Sequence, residues 1–304
     1  MTSSGPLFSF VQVELPWPLG PPDGRYLIRP DGEPDAQPSN VLVLATLGAP
    51  ERRRLAALRG RHGRRVAPRP EPTPVTTGRA TVIDAGQRLA DPDGAGAWLR
   101  AAGERELETG LEVLNRALHA WRLASADPYL QPVGRHQTIA ARIGFGSGEQ
   151  VADGLWTAAR ELAPPDQRRR RRRASSPDST LAALLGARRA PLACAELALR
   201  ARLDLDQGRP REAALQLKAA LDAALAELGS GPRATALAER LVDLQGRRAA
   251  VADAARSALG GAPSPPESAV IADALSRLEA ALRADTAATE ADAAAKPASP
   301  ARRE

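Results

Sequence analysis

The sequence contains few of the residues that build covalent cross-links, metal centres or catalytic pairs. It has 304 residues, of which one is cysteine, Cys194, and three are histidine. A single cysteine excludes an intramolecular disulfide framework and a cysteine-based metal cluster, and so few histidines disfavour a histidine-rich metal site. We therefore predict no metal and no cofactor. Asp84 and Asp153 are possible acids, but nothing in the sequence pairs them, and we assign no catalytic residue.

Aromatic residues and long apolar runs are also scarce. Aromatic residues make up 3% of the chain, and no apolar stretch approaches the roughly 18 residues that a membrane helix needs. The N-terminus lacks the basic and apolar regions of a secretory signal. Hydrophobic residues at 43% and charged residues at 26% are typical of a soluble globular protein. We predict a cytoplasmic protein that does not enter a membrane.

Lysine occurs only at Lys218 and Lys296, so the positive charge is carried by arginine. Eight arginines lie within 52–69, and Arg168 to Arg173 form a run of six. The formal net charge is only +6, so the rest of the chain is acidic. The basic character is concentrated in these two segments.

Clustered arginines favour contact with nucleic acid or with an acidic partner. The candidate residues are Arg52, Arg53, Arg54, Arg168, Arg169, Arg170, Arg171, Arg172 and Arg173. No aromatic residue interleaves with the second run, so binding there would be to the phosphate backbone and without base specificity. The alternative is a solvated, proline-flanked linker.

Up to residue 162, the chain predicts an α+β domain with a small β-rich N-terminal part and packed helices. Val11, Val13 and Leu15 alternate with polar residues, which is typical of a half-buried strand. Further strands are predicted at 26–28, 41–47 and 79–84, and helices at 50–59, 104–124 and 147–162. The helix at 104–124 shows the apolar spacing of an amphipathic helix, and Ser147 and Gln150 form a capping-box pattern at the start of the next.

The second half predicts an all-α region of helical hairpins. Residues 163–180 form an Arg-rich linker by composition, and 181–284 form the helical domain. Its helices are predicted at 192–207, 211–228, 233–259 and 267–283. Residues 285–304 contain no large apolar residue, which predicts a disordered tail.

One hairpin carries a family resemblance. In LALRARLDLDQGRPREAALQLKAALDAAL (197–225), Gly208 stands at the turn, and Ala201, Ala213 and Ala220 occupy the positions where small residues allow two helices to pack closely. This segment resembles a single tetratricopeptide repeat, although Asp204 and Leu217 replace the family's aromatic residues and no terminal proline follows. The resemblance implies a protein-interaction surface. The alternative is an Ala-rich hairpin with a tight turn.

A glycine-rich segment is the second candidate site. Gly144, Gly146 and Gly148 alternate just ahead of the predicted helix, with Arg135, His136 and Arg142 nearby. Backbone N–H groups at a glycine turn and a helix N-terminus favour an anion. Neither a GxGxxG pattern nor a phosphate-loop lysine is present, so a glycine turn capped by Ser147 is the alternative interpretation.

Together these features predict a non-enzymatic adaptor or scaffold that binds a protein partner through its helical domain. A nucleic-acid-associated protein that uses the two Arg-rich segments is the first alternative. A nucleotide- or anion-binding enzyme that uses the turn at 144–148 is the second. The sequence predicts no particular oligomeric state.

Overall fold

The computed structural model describes residues 5–30, 33–48, 75–164, 177–231 and 234–295. The chain divides into two compact units, residues 1–165 and residues 166–304. The first combines a sheet with helices and the second is helical, which confirms the predicted α+β class. The predicted helix at 50–59 lies outside the described residues. None of the described helices has the length and apolarity required to cross a membrane.

The first unit is built on a six-stranded antiparallel sheet with the order β2-β3-β4-β1-β5-β6. Its strands are β1 (Leu7–Leu15), β2 (Gly24–Ile28), β3 (Asn40–Leu47), β4 (Thr77–Leu89), β5 (Ala140–Ser147) and β6 (Ala158–Glu161). The four strands predicted in the first 85 residues are confirmed, and β4 extends further than its prediction. Strand β1 lies inside the sheet, because it pairs with both β4 and β5.

Two helices cover one face of this sheet. Helix α1 (Pro92–Ala101), which has no counterpart in the prediction, begins after Asp91, whose carboxylate accepts the N–H of Gly94 at 2.7 Å. Helix α2 (Glu104–Ser125) confirms the helix predicted at 104–124. Its apolar stripe is buried against the sheet, as the spacing of Leu107, Leu111, Leu114 and Leu118 predicts. This face contains the main core of the unit.

The opposite face is partly covered by the segment after β5. A 3₁₀ turn at Gly148–Asp153 places Val151 on the sheet, where it packs with Phe10, Val41 and Ile83. Trp156 stacks on Phe10 with 5.7 Å between the ring centroids. The predicted helix at 147–162 is therefore wrong: this stretch forms a 3₁₀ turn and strand β6, because pairing with β5 holds it extended.

The second unit contains five helices among its described residues. They are α3 (Pro177–Leu185), α4 (Ala193–Asp206), α5 (Pro210–Gly229), α6 (Ala238–Gly260) and α7 (Pro265–Ala295). The four helices predicted after residue 190 are confirmed. Helix α3 begins inside the predicted linker at 163–180, of which 165–176 lie outside the described residues. The predicted tail begins too early, because α7 continues to Ala295.

Helices α4 and α5 form an antiparallel hairpin. Gly208 adopts φ +68° in its turn, a conformation that favours glycine. Ala201, Ala213 and Ala220 are buried in the hairpin core, as small residues at a close helix contact would be. Helix α4 also packs against α7, and α6 packs against both α5 and α7. The four helices therefore close into a bundle around one core.

An ion pair crosses the turn of this hairpin. The Asp204 carboxylate accepts a hydrogen bond from Nε of Arg209 at 2.7 Å and another from the Gln216 amide. Both charged side chains are only 12% exposed. Asp204 is thus held by Arg209 in the turn and by Gln216 on the facing helix.

Candidate functional site

An apolar concave surface of the first unit lies between the edge strand β2 and the C-terminal half of helix α2. It is a cavity of about 410 Å³, a size within the usual range for ligand pockets. We call it the β2–α2 groove. It is lined by Pro21, Tyr26, Leu27, Ile28, Arg29, Leu42, Leu44, Arg116, Ala117, Ala120, Trp121 and Ala124.

Small side chains on α2 create the space. Ala117, Ala120 and Ala124 recur at helical spacing, so they share the side of the helix that faces the groove. Leu42 and Leu44 of β3 complete the apolar surface, and both are buried beneath the helix. A helix with large residues at these three positions would fill the same space with its own side chains.

The groove follows the edge of the sheet. Side chains of consecutive strand residues point to opposite faces, yet Tyr26, Leu27 and Ile28 all line the cavity. The groove must therefore reach the main chain of β2 as well as its side chains. Among the described strands, β2 pairs only with β3. Its outer edge thus presents backbone hydrogen-bonding groups beside an apolar surface.

Both ends of β2 are fixed by hydrogen bonds. Asp23 accepts the backbone N–H and the hydroxyl of Thr46, each at 2.8 Å. At the other end, the N–H of Ser39 donates to the Ile28 carbonyl at 2.8 Å. These contacts hold the hairpin of β2 and β3 in register. The edge strand is therefore a preformed wall of the groove.

Helix α2, the opposite wall, is anchored through a buried asparagine. The Asn115 amide donates to the Val133 carbonyl at 2.9 Å, and its oxygen accepts the Val133 N–H at 2.7 Å. Asn115 is only 2% exposed. Because both polar groups of the amide are satisfied, this contact stabilises the loop after α2 against the helix.

The charge at the groove is positive. Arg29 and Arg116 lie at the same end, since the Arg116 guanidinium donates to the Arg29 carbonyl. The Arg29 Nε donates to the Ala36 carbonyl at 3.0 Å. No Asp or Glu is found among the described residues that line the groove. The surface therefore combines apolar contact with a preference for a negative group at one end.

The predicted anion site is arranged differently from its prediction. Gly144 and Gly146 lie within strand β5, where their backbone pairs with β1. A Cβ at Gly144 would stand 2.5 Å from the Ala158 carbonyl oxygen, and one at Gly146 would stand 2.7 Å from Val151. The glycine spacing thus has a packing cause. Gly148, with φ +69°, begins the 3₁₀ turn.

The two arginines of that prediction have protein partners. The Arg135 guanidinium donates to Thr138 Oγ1 and to the carbonyls of Leu162 and Ala163. Arg142 forms an ion pair with Glu14 at 2.7 Å and lies 3.4 Å from Glu161. His136 is exposed in a 3₁₀ turn. Anion binding by these residues stays a prediction that no described contact supports.

Cys194 is wholly buried in the core of the second unit. Burial, together with the neighbouring Glu227 carboxylate, raises the pKa of its thiol to about 12. This environment suits a packing role better than a nucleophile.

The candidate nucleic-acid residues Arg52, Arg53 and Arg54 and the run Arg168 to Arg173 lie outside the described residues. Their predicted contact with nucleic acid or an acidic partner stays a prediction. Within the described ranges, no three His, Cys, Asp or Glu side chains come together as a metal site.

Sequence reasoning missed the β2–α2 groove entirely. Its residues belong to two distant segments, around Tyr26 and around Trp121, and no local pattern connects them. The available signal was the series of alanines at 117, 120 and 124 beside a tryptophan on a predicted amphipathic helix. Comparison with protein-family models, with curated proteins and with solved structures finds no match for this chain.

Proposed function

We propose that this protein is a non-enzymatic adaptor, and that the β2–α2 groove binds an extended segment of a protein partner. The observation that carries the proposal is the apolar groove running along the edge of a strand that pairs with one described neighbour. We further propose that it acts in the cytoplasm, as its single cysteine favours.

An added strand uses both features of the groove. Its backbone would pair with the outer edge of β2, which is how extended peptides add to sheet edges. Its alternate side chains would then point towards Ala117, Ala120 and Ala124. Backbone pairing contributes affinity, and the apolar surface selects large apolar side chains at every second position.

Charge complementarity defines the partner further. Arg29 at one end, with no acid among the described lining residues, favours a carboxylate on the partner. The proposed occupant is therefore a peptide segment with alternating apolar residues and an Asp or Glu at one end.

The sequence predicts instead that a protein partner binds the helical unit, which contains the tetratricopeptide-like hairpin. The apolar stripes of its helices are buried in the core of the bundle. Exposed apolar side chains remain on this unit, among them Leu181 and Leu185 on α3 and Leu199 and Leu203 on α4, but they do not line the β2–α2 groove. Binding by this unit stays a prediction, and the groove has the stronger structural support.

Selection from a phage-displayed library of random peptides tests the proposal. We expect enriched sequences with alternating apolar residues and a terminal acidic residue. A synthetic peptide of the enriched sequence is then titrated against the full chain and against Ala120→Glu, which places a large anionic side chain in the groove. The variant should bind at least about tenfold more weakly, equivalent to about 1.4 kcal/mol.

Leu123→Glu is the matched control, because Leu123 is 68% exposed on the same helix and does not line the groove. It should bind like the unchanged chain. Equal affinity for the unchanged chain and for Ala120→Glu would refute the groove as the docking site. Loss of binding in Leu199→Glu instead would move the site to the helical unit.

A further inference from the structure

A second cleft lies along the N-terminal half of α2, separate from the β2–α2 groove. Its volume is about 380 Å³. Its lining includes the polar residues Ser9, Asn40, Asp84, Gln87 and Thr109, and the indole of Trp98. We call it the polar cleft. It shares no lining residue with the groove, and nothing in the proposed adaptor function requires it.

A break in the sheet opens this cleft. The register of β1 against β4 passes from Phe8 opposite Arg88 directly to Phe10 opposite Ile83. Residues 84–87 of β4 therefore leave the ladder with β1. The Asp84 carboxylate holds this bulge by accepting the N–H groups of Gly86 at 3.0 Å and Gln87 at 3.1 Å. Bulges of this kind redirect side chains and are frequent beside functional sites.

Three polar residues form a row across the strands at this level. Asn40 lies directly opposite Asp84 in the pairing of β3 and β4, so their Cβ atoms are about 5 Å apart. Ser9 is on the neighbouring strand β1, on the same face as Val11 and Val13. The next rows on that face are apolar, with Leu42, Val82 and Val11 in one of them. The polar row that lines the cleft thus lies directly beside apolar rows on the same face.

Ser9 carries the strongest indication of a ligand. Its side chain lies in the sheet interior and the residue is only 9% exposed. Its hydroxyl makes no hydrogen bond within the described part of the chain, although it lines the cleft. Because the hydroxyl opens into the cleft, a molecule bound there can serve as its hydrogen-bond partner.

The neighbouring groups add unused capacity. Only Oδ1 of Asp84 accepts the bulge N–H groups, which leaves Oδ2 for another donor. Asn40 accepts from the Ser39 hydroxyl at 3.1 Å through its oxygen, and its NH₂ remains to donate. A carboxylate oxygen beside an amide NH₂ is complementary to two adjacent hydroxyl groups, one that donates and one that accepts.

Charge excludes an anion as the main ligand. Asp84 and Glu106 line the cleft with one cation, Arg105. Two carboxylates against one guanidinium give the lining a net negative charge, which repels a phosphate or sulfate. Trp98 supplies an apolar surface at the wall. The lining residues together favour a molecule that presents hydroxyl groups to Asp84 and Asn40 and a C–H face to Trp98.

We propose that the polar cleft binds a neutral polyol of monosaccharide size. Adjacent hydroxyls of the ligand pair with Asp84 and Asn40, a third reaches Ser9, and its C–H face packs against Trp98. A pyranose or an inositol ring fits within the cleft of about 380 Å³ and presents adjacent hydroxyls around one ring.

Nuclear magnetic resonance of the full ¹⁵N-labelled chain tests this directly. The probes are D-glucose, D-galactose, D-mannose and myo-inositol, each titrated to about 50 mM, well above the Kd of about 1 mM expected for so small a ligand. At least one probe should shift the Trp98 indole resonance saturably. That resonance is assigned with Trp98→Phe.

Two variants test the assigned contacts. Asp84→Asn retains an oxygen for the bulge N–H groups but loses the carboxylate, and Ser9→Ala removes the unpartnered hydroxyl. Each should raise the Kd about tenfold, and Ser9→Ala keeps the test valid if the bulge changes in the other variant. Glu108→Gln is the control on α2, because Glu108 does not line the cleft, and its Kd should not change.

Two outcomes would overturn the proposal. One is the absence of a saturable shift with all four probes. The other is an equal shift in the unchanged chain, Asp84→Asn and Ser9→Ala, which would place binding elsewhere. Inorganic phosphate is titrated in parallel, and a response to phosphate alone would assign the cleft to anions and refute the polyol.

Discussion

Gly110 of helix α2 lies directly against Val11 of strand β1: a Cβ added to the glycine would stand 2.7 Å from both Cβ and Cγ1 of the valine. No real Cβ contact is so short, so the helix can cross the sheet at this distance only with glycine at 110. Both residues line the polar cleft. The crossing places Thr109 at the polar cleft and leaves Ala117 at the groove.

Gly110→Ala should therefore destabilise the first unit, although alanine is the better helix former by about 1 kcal/mol. Overpacking against Val11 should exceed that gain and give a net loss of about 1–3 kcal/mol. All four tryptophans lie in this unit, so urea unfolding followed by tryptophan fluorescence reports on it.

Gly246→Ala is the matched control, because Gly246 is inside helix α6 and nothing lies within 4 Å of its Cβ position. It should stabilise the helical unit by about 0.5–1 kcal/mol in unfolding followed by circular dichroism. A stabilising effect of Gly110→Ala would show that the contact with Val11 relaxes easily.

The buried Asp204–Arg209 pair predicts that replacing Asp204 costs much more stability than replacing the exposed Asp253. Asp204→Ala would leave the Arg209 guanidinium without its carboxylate in a site where both side chains are 12% exposed. We expect a loss of about 3 kcal/mol in the stability of the helical unit. Asp253→Ala removes a pair whose side chains are 68% and 72% exposed, and should change stability by no more than about 0.5 kcal/mol. Similar losses in urea unfolding would contradict this ranking.

The raised pKa of Cys194 predicts an inert thiol. With a pKa of about 12, roughly one thiol in ten thousand is ionised at pH 8. Native protein should therefore resist alkylation by iodoacetamide at that pH, and protein in urea should react fully. Leu199→Cys, which places a thiol on the exposed side of the same helix, should react in the native state. Equal labelling rates for Cys194 in native and unfolded protein would show that the core around it opens readily.

Glu227 predicts an acid dependence of the helical unit. Burial opposes its ionisation, but hydrogen bonds from the N–H and thiol of Cys194 and from the N–H of Ala193 outweigh burial and hold its pKa below the ordinary 4.5. A depressed folded-state pKa stabilises the fold above the unfolded value, and this contribution is lost as pH falls through the folded value. Urea unfolding of Glu227→Gln should show lower stability than the unchanged chain at pH 7, and the difference should shrink in acid. If the difference in stability between the two proteins grew in acid, the pKa of Glu227 would be raised in the folded state and this prediction would be wrong.

The local spacing of apolar residues was sufficient to predict most of the helices and strands. Helical spacing relates Leu107, Leu111, Leu114 and Leu118, and strand spacing relates Val11, Val13 and Leu15. Each spacing equals the side-chain repeat of the element that forms there, so the element can be predicted from it. Gly208 marks the hairpin turn because a positive φ favours glycine. These features depend on neighbours in sequence, and they are the part of the fold that the sequence predicts correctly.

The stretch after Ser147 shows where local signals fail. Its capping pattern favours a helix, yet strand β5 pairs with β1, more than a hundred residues away, and β6 then pairs with β5. Gly144 and Gly146 serve this packing, since a side chain at either position would collide with the segment that folds back over β5. Only tertiary contact distinguishes this use of glycine from an anion-binding turn.

The sequence by itself determined the α+β class, the two-part organisation and the amphipathic helices, because composition and short-range period decide which surfaces each element must bury. The tertiary structure decided where those elements leave space. Strand β2 and Trp121 meet to form the groove, and Ser9, Asn40 and Asp84 meet at the break in the sheet. These residues are far apart along the chain, and their juxtaposition arises from strand order and from the close crossing at Gly110, neither of which local pattern encodes.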